Sequence, residues 1–209
     1  MIKPAFGAKR HMCVVVHGIE YDPAVVSWVD DFVIDSAHRT DVELFPEVYG
    51  YVAGWKVWLY PDYRHDIVEQ EVKALKRLKS RLLEWDTSAK FSILAHSLGG
   101  TIVEHALKQD LVFHNIIIFM GAMDEWFNWH DHNSQFNQAF IWWSRKDEKL
   151  DMAYWGQQGL VGPQVEHPRV ASIETEWTHD EFMDRWYLNR PVHNKILSQL
   201  ESNRSRRLT

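Results

Sequence analysis

Short apolar runs alternate with amphipathic stretches along the chain, and the two patterns predict strands and helices. Strands are predicted at residues 12–16, 47–52, 91–95, 115–120, 139–143 and 170–173. Helices are predicted at residues 24–38, 65–85, 101–108 and 180–187, with a last helix from a break at Pro191 to about Glu201. Buried strands separated by helices form a parallel sheet with helices on both faces. We therefore predict an α/β fold, a three-layer α/β/α sandwich with a mostly parallel sheet of about six strands.

The composition is that of one globular domain. The chain has 209 residues, of which 45% are hydrophobic and 25% are charged, and it contains no repeat or low-complexity linker. We predict a single domain over residues 1–209, because a chain of this length buries a full core without metal or disulfide staples. The formal net charge of −6 gives no reason to expect nucleic acid as a partner, since nucleic-acid binders usually carry a basic face. No feature indicates an oligomeric state.

Cysteine usage and the pattern near residue 1 bear on location. Cys13 is the only cysteine, so no intrachain disulfide can form, which suits a reducing, cytoplasmic compartment. The apolar run at 12–16 is too short for a membrane span. The basic pair Lys9 and Arg10 precedes it without the small-residue cleavage site of a secretory signal. We expect a soluble, unprocessed chain with no stable membrane insertion.

Residues with catalytic side chains follow several of the predicted strands. In a parallel sheet, sites form at the carboxyl ends of the strands. The residues found just past successive strand ends are His17-Gly18, Ser97, Asp124, Asp147 and His179. A serine, then an acid, then a histidine is the chain order of the catalytic residues in α/β-hydrolases.

Four short motifs carry a resemblance to that superfamily. They are VVVHG at 14–18, HSLGG at 96–100, SRKDEKL at 144–150 and THDEF at 178–182. From about residue 14 to 182, the chain resembles a small lipase- or esterase-like serine hydrolase of the α/β-hydrolase superfamily. The resemblance implies a triad of Ser97, Asp147 and His179, with an oxyanion hole made by the backbone N–H groups of Ile19 and Leu98. It also implies a small-molecule or acyl ester substrate.

The chemistry of such a triad explains why these residue types are needed. A serine hydroxyl is a poor nucleophile until a neighbouring imidazole takes its proton, so Ser97 needs a histidine. The imidazole becomes cationic during the reaction and therefore needs a carboxylate partner. The oxyanion of the tetrahedral intermediate needs preorganised N–H donors. This mechanism requires no metal and no cofactor, and we interpret His130-Asp131-His132 as a solvated loop rather than a metal site.

The motif around Ser97, which is called the nucleophile elbow in this superfamily, departs from its usual pattern at one position. The pattern is G-x-S-x-G, and the chain has Ala95 in place of the first glycine. A methyl group is the smallest possible addition there, and Gly99 and Gly100 keep the other side of the turn free. The alternative is that Ser97 only caps the helix that follows, as serines often do. The surrounding strand, glycines, acid and histidine favour the nucleophile.

The acid and the base each have an alternative. Asp124 is the alternative to Asp147, because some lipases of the superfamily carry the acid after the earlier strand. His167 is the alternative to His179. We prefer His179 because it follows the sixth predicted strand, whereas His167 lies in the loop before that strand. In addition, Thr178-x-x-Glu181 predicts a capping box, which places His179 where a loop meets a helix.

The substrate is less well indicated. Tryptophans cluster at Trp126, Trp129, Trp142 and Trp143, and they either line a substrate pocket or pack in the core. The segment 122–138 is too short for a large lid, which suggests a minimal hydrolase with an open site. Thioester or amide hydrolysis would use the same residues as ester hydrolysis. The non-enzymatic alternative is a hydrolase-like fold that serves as a binding or interaction module.

Overall fold

Six strands form one parallel sheet in the computed structural model, which describes residues 10–18, 28–46, 56–153, 155–181 and 190–202. The strands are His11–Val16 (β1), Glu43–Pro46 (β2), Lys90–His96 (β3), Asn115–Phe119 (β4), Gln138–Trp143 (β5) and Val170–Glu174 (β6). Their order across the sheet is β2-β1-β3-β4-β5-β6, and every neighbouring pair is parallel. The predicted α/β class and its six-stranded sheet are confirmed.

Helices cover both faces of this sheet. They are Trp28–Ser36 (α1), Lys56–Leu59 (α2), Pro61–Trp85 (α3), Leu98–Lys108 (α4), Glu148–Ala153 (α5), Gln158–Val161 (α6) and Arg190–Glu201 (α7), with a 3₁₀ helix at Trp129–His132. Helices α3 and α4 pack on one face of the sheet, and α1 and α7 pack on the other. This is the predicted three-layer sandwich. Within the ranges given above, no helix combines the length and the apolar character needed to cross a bilayer.

The alternation of side chains along a strand lets one apolar run serve both layers. In β4, Ile116 and Ile118 belong to the core beneath α3 and α4, whereas Ile117 and Phe119 belong to the core beneath α1 and α7. All four side chains are fully buried. Because both faces of the strand are buried, the sequence shows a continuous apolar run rather than an alternation with polar residues.

The second strand differs from the prediction. The predicted strand at 47–52 lies outside the described residues. The strand that pairs with β1 is β2, in a register that runs from Met12 opposite Glu43 to Val15 opposite Pro46. It has four residues, all only partly buried, and it ends in a proline. Because proline is tolerated at a sheet edge, such a strand forms without the apolar run that marks a central one.

The helix bounds differ mainly at their starts. Helix α3 begins at Pro61, four residues before the predicted start, because proline is favoured in the first turn. Helix α4 begins at Leu98, three residues before the predicted start, and includes Gly99 and Gly100 despite the poor helix propensity of glycine. Parts of the predicted helices 24–38 and 180–187 lie outside the described residues.

Candidate active site

Ser97 lies at the turn between β3 and α4. Its backbone has a φ of 54° and a ψ of −120°, and a positive φ is uncommon for any residue except glycine. Three backbone hydrogen bonds hold the turn: the Ser97 N–H donates to the Phe119 carbonyl at 3.1 Å, and the Ser97 carbonyl accepts from Gly100 at 2.9 Å and Ala122 at 2.8 Å. The Ser97 side chain makes no capping hydrogen bond to α4, so the geometry does not support an ordinary helix cap.

The structure brings Ser97, His179 and Asp147 into one chain of hydrogen bonds. The Nε2 atom of His179 lies 2.9 Å from the Oγ atom of Ser97, and its Nδ1 atom lies 2.7 Å from Oδ2 of Asp147. All three residues are buried, with exposed fractions of 3%, 5% and 0% for Ser97, His179 and Asp147. A carboxylate only accepts hydrogen bonds, so the proton of a neutral His179 lies on Nδ1. The Nε2 atom is then free to accept the proton of the serine hydroxyl.

Local structure holds the acid and the histidine in place. The second carboxylate oxygen of Asp147, Oδ1, accepts from the backbone N–H of Leu150 at 2.9 Å. The predicted capping box is confirmed: the Thr178 N–H donates to the Glu181 carboxylate at 3.0 Å, and the Glu181 N–H donates to the Thr178 hydroxyl at 3.4 Å. His179 lies between these two residues. Its backbone is therefore fixed by the cap, while its side chain is fixed by Asp147.

Two further histidines flank the triad, and sequence reasoning gave them no role. His96 is buried, and its Nε2–H donates to the backbone carbonyl of His179 at 3.1 Å. Burial, together with the neighbouring His179, holds the pKa of His96 well below its ordinary value, so the ring is neutral. Burial also lowers the pKa of His17, whose Nδ1–H donates to the Gly18 carbonyl at 2.6 Å. His96 therefore holds the backbone of His179, and neither histidine adds a positive charge beside the triad. Their positions at the carboxyl ends of their strands, His96 as the last residue of β3 and His17 directly after β1, are the only sequence signal that could have indicated this.

The two residues expected to form the oxyanion hole fall differently in the structure. Leu98 is the first residue of α4, so its N–H has no acceptor within the helix. Ile19 lies outside the described residues. Its neighbour Gly18 is described, and a Cβ atom added there would lie 2.7 Å from Cβ of Ser97 and 3.2 Å from Oγ. Only a glycine allows the backbone after β1 to approach the serine this closely.

The alternative acid, Asp124, and the alternative base, His167, are not part of the hydrogen-bond chain that includes Ser97. Asp124 is exposed, and its Oδ1 accepts from the Trp126 N–H at 2.9 Å. His167 precedes β6 and therefore lies at the amino ends of the parallel strands, the edge of the sheet opposite to Ser97. Its Nδ1 accepts from the Arg169 N–H at 3.1 Å, and its ring contacts that of His130.

Two of the four clustered tryptophans pack in the hydrophobic core. Trp129 is fully buried and packs against Phe127 and Phe136, and Trp142 and Trp143 are also buried. Trp126 is the exception, with an exposed fraction of 65%. Trp129 and Trp142 therefore belong to the core, whereas Trp143, although buried, lines a cavity beside Asp147.

The sequence matches no model of a protein family and no curated protein. Its fold does match solved structures. TT1662 from Thermus thermophilus superposes with a TM-score of 0.62 at 13% identity, over 93% of this chain and 89% of that one. Est1E from Butyrivibrio proteoclasticus, solved with ferulic acid bound, gives 0.60 at 13% identity, over 93% and 91%. XCC1541 from Xanthomonas campestris pv. campestris, assigned to the α/β hydrolase superfamily, gives 0.53 at 14% identity, over 90% and 99%.

These similarities concern the fold. At identities of 13–14%, a shared architecture does not carry a shared substrate. The chain has the α/β-hydrolase fold, as its four motifs predicted.

Proposed function

We propose that the protein is a serine hydrolase that cleaves a carboxylic ester through an acyl-enzyme. The observation that supports this most directly is the continuous hydrogen-bond chain from Asp147 through His179 to Ser97, with the serine on a positive-φ turn at a strand end. A nucleophile, a base and a residue that orients the base are the three parts that acyl transfer requires.

In the proposed reaction, the proton of the Ser97 hydroxyl moves to Nε2 of His179 as Oγ attacks the substrate carbonyl carbon. Asp147 stabilises the resulting imidazolium through Nδ1. The oxyanion accepts hydrogen bonds from the Leu98 N–H and, in this proposal, from that of Ile19. Collapse of the intermediate releases the alcohol, which takes the proton from Nε2. Water then attacks the carbonyl carbon of the acyl-enzyme and gives a proton to Nε2 of His179. Collapse of this second intermediate returns the proton to Oγ of Ser97 and frees the carboxylic acid.

An ester is the proposed substrate class, although the same residues would also cleave a thioester or an amide. The fold neighbour Est1E binds ferulic acid, a carboxylic acid, which supports a carboxylic acyl group as the ligand. We also propose that residues 1–209 act as a single domain in the cytoplasm. Cys13 is a free, buried cysteine, and a chain with one cysteine forms no internal disulfide, which suits a compartment where cysteines stay reduced.

A fluorophosphonate probe tests the nucleophile, because it reacts covalently with activated serines. We expect the wild-type protein to be labelled and the Ser97→Ala variant not to be labelled. Equal labelling of both proteins, or none of the wild type, would remove the proposed nucleophile. A series of p-nitrophenyl esters of increasing chain length would then define the acyl preference.

Two histidine variants form a matched pair for the base. His179→Ala should lower kcat for the preferred p-nitrophenyl ester by about 10²–10⁴-fold, the usual contribution of a general base. His167→Ala should retain most of the activity, because that side chain lies at the opposite edge of the sheet. The reverse result would move the base to His167.

A further inference from the structure

A second group of polar side chains lies away from the triad, between helices α3 and α4. His65 and Glu69 are four residues apart on α3, so they share one face of that helix. His105 comes from α4, which packs beside α3 on the same face of the sheet. The Nδ1 atom of His105 lies 3.6 Å from Oε1 of Glu69. One ligand atom from each of the three residues can be chosen so that all lie within 4.8 Å of one another.

We propose that His65, Glu69 and His105 bind a zinc ion that joins α3 to α4. Two imidazoles and one carboxylate are ligands that zinc prefers, and three protein ligands leave the fourth position for water. At tetrahedral zinc, ligand atoms 2.0–2.1 Å from the metal lie about 3.3 Å from each other. The separation of 3.6 Å between His105 and Glu69 is already close to that value. His65 is exposed, so its side chain can rotate to complete the set.

Outer contacts hold the carboxylate in position. The Gln109 side-chain N–H donates to Oε1 of Glu69 at 2.7 Å, and the Lys76 ammonium donates in turn to the Gln109 side-chain oxygen at 3.0 Å. An ionised carboxylate oxygen has a second lone pair, so it can accept this hydrogen bond and still bind a metal. Hydrogen bonds of this kind orient the ligands of metal sites in general.

The proposed site would act on stability rather than on turnover. His105 lies eight residues after Ser97 along α4, which places it about 12 Å away at the rise of an α-helix. The metal would join α4, the helix that begins directly after the candidate nucleophile, to the longest described helix of the same layer. The proposal does not depend on hydrolase activity, and it departs from the expectation, drawn from sequence, of no metal.

The test is calorimetric titration of EDTA-stripped protein with zinc chloride at about pH 7.5, where an unperturbed imidazole is neutral. We expect one saturable zinc per wild-type chain. Changes to outer contacts alone usually weaken metal binding by 10–100-fold, so Glu69→Gln and His105→Ala should each weaken it by at least about tenfold. His38→Ala is the matched control, because His38 is exposed and outside the cluster. Its affinity for zinc should equal that of the wild type.

Thermal unfolding gives a second readout. Saturating zinc should raise the unfolding temperature of the wild type and of His38→Ala by a few degrees, but not that of Glu69→Gln. Glu69→Gln keeps the shape of the side chain, so it tests the site even if His105→Ala does not fold. Unfolding in EDTA checks that the variants start from equal stability. Equal zinc affinity of Glu69→Gln and wild type, or no saturable binding at millimolar zinc, would overturn the proposal.

Discussion

Ala95 and Gly99, which flank Ser97, compete for one space at the elbow, and a double-mutant cycle measures that competition. A Cβ atom added to Gly99 would lie 3.0 Å from Cβ of Ala95 and 3.3 Å from Cγ1 of Val16. Carbon atoms prefer separations of about 3.5–4.0 Å, so Gly99→Ala forces a local shift. Overpacking of this kind costs about 1–3 kcal/mol, while alanine in place of a helical glycine returns about 1 kcal/mol. We expect Gly99→Ala alone to destabilise the protein by about 0–2 kcal/mol.

Ala95→Gly removes the competing methyl group. Alone, it should destabilise by about 1.5 kcal/mol, from the lost burial of one methyl and the entropy of glycine in a strand. In that background, Gly99→Ala loses its closest contact and keeps the gain in helix propensity. The second substitution should therefore be less costly, or even stabilising, which corresponds to a coupling free energy of about 1–2 kcal/mol between the two positions.

Urea unfolding of the wild type, both single variants and the double variant gives this coupling directly, provided that the four m-values agree. A control cycle pairs Gly99→Ala with Ala139→Gly, which removes the same methyl from a fully buried position two strands away. That pair should be additive within about 0.5 kcal/mol. If the pair of Ala95→Gly and Gly99→Ala is equally additive, the two positions do not compete for space. Gly99 would then not be the reason why the elbow tolerates alanine at position 95.

Two further predictions concern the site and the pH dependence of stability. Gly18→Ala places a methyl 2.7 Å from Cβ of Ser97 and should therefore displace the serine side chain. We expect the rate of fluorophosphonate labelling to fall by about 10²-fold, the usual effect of misplacing a reacting group by about 1 Å. The unfolding midpoint is measured in parallel as the control, and an unchanged labelling rate would contradict the prediction. Burial and the Arg39 guanidinium lower the pKa of His193 to about 4. Below about pH 6.5, the unfolded chain therefore takes up a proton that the folded chain does not. Because of this difference, the free energy of unfolding falls between pH 6.5 and 4. His193→Gln should reduce the loss of unfolding free energy between pH 7.5 and 5 by about 1–2 kcal/mol; an unchanged pH profile in urea unfolding would contradict this.

The order of elements in the sequence predicted the candidate triad because parallel strands end at one edge of a sheet. Ser97 and His179 are 82 residues apart, yet Ser97 directly follows the end of β3 and His179 lies five residues past the end of β6. The choice of His179 over His167 used the same argument, since His167 precedes β6 rather than following it. Continuous apolar runs indicated the central strands, because those strands are buried on both faces.

Features that depend on how helices rotate and pack were not predictable in this way. The chain has 12 histidines, and no spacing along it indicates that His105 meets His65 and Glu69 across two helices. The edge strand β2 has only a short apolar run, Leu44–Phe45–Pro46, and all four of its residues are only partly buried. The position of His96 was not predictable either, because its contact is with the backbone of His179 and not with the serine side chain.

The small residues around Ser97 face different partners, and this explains why the elbow pattern tolerates a change at one position. Ala95 and Gly99 face each other, so a methyl at one of the two is compatible with a glycine at the other. Gly100 has no such freedom: a Cβ atom there would lie 2.9 Å from Cα of Gly121, and backbone cannot yield as a side chain can. Gly18 would place its Cβ against Ser97 itself. The strained turn therefore depends on close backbone approach at Gly18 and Gly100, and the first glycine of the usual pattern is dispensable as long as Gly99 remains.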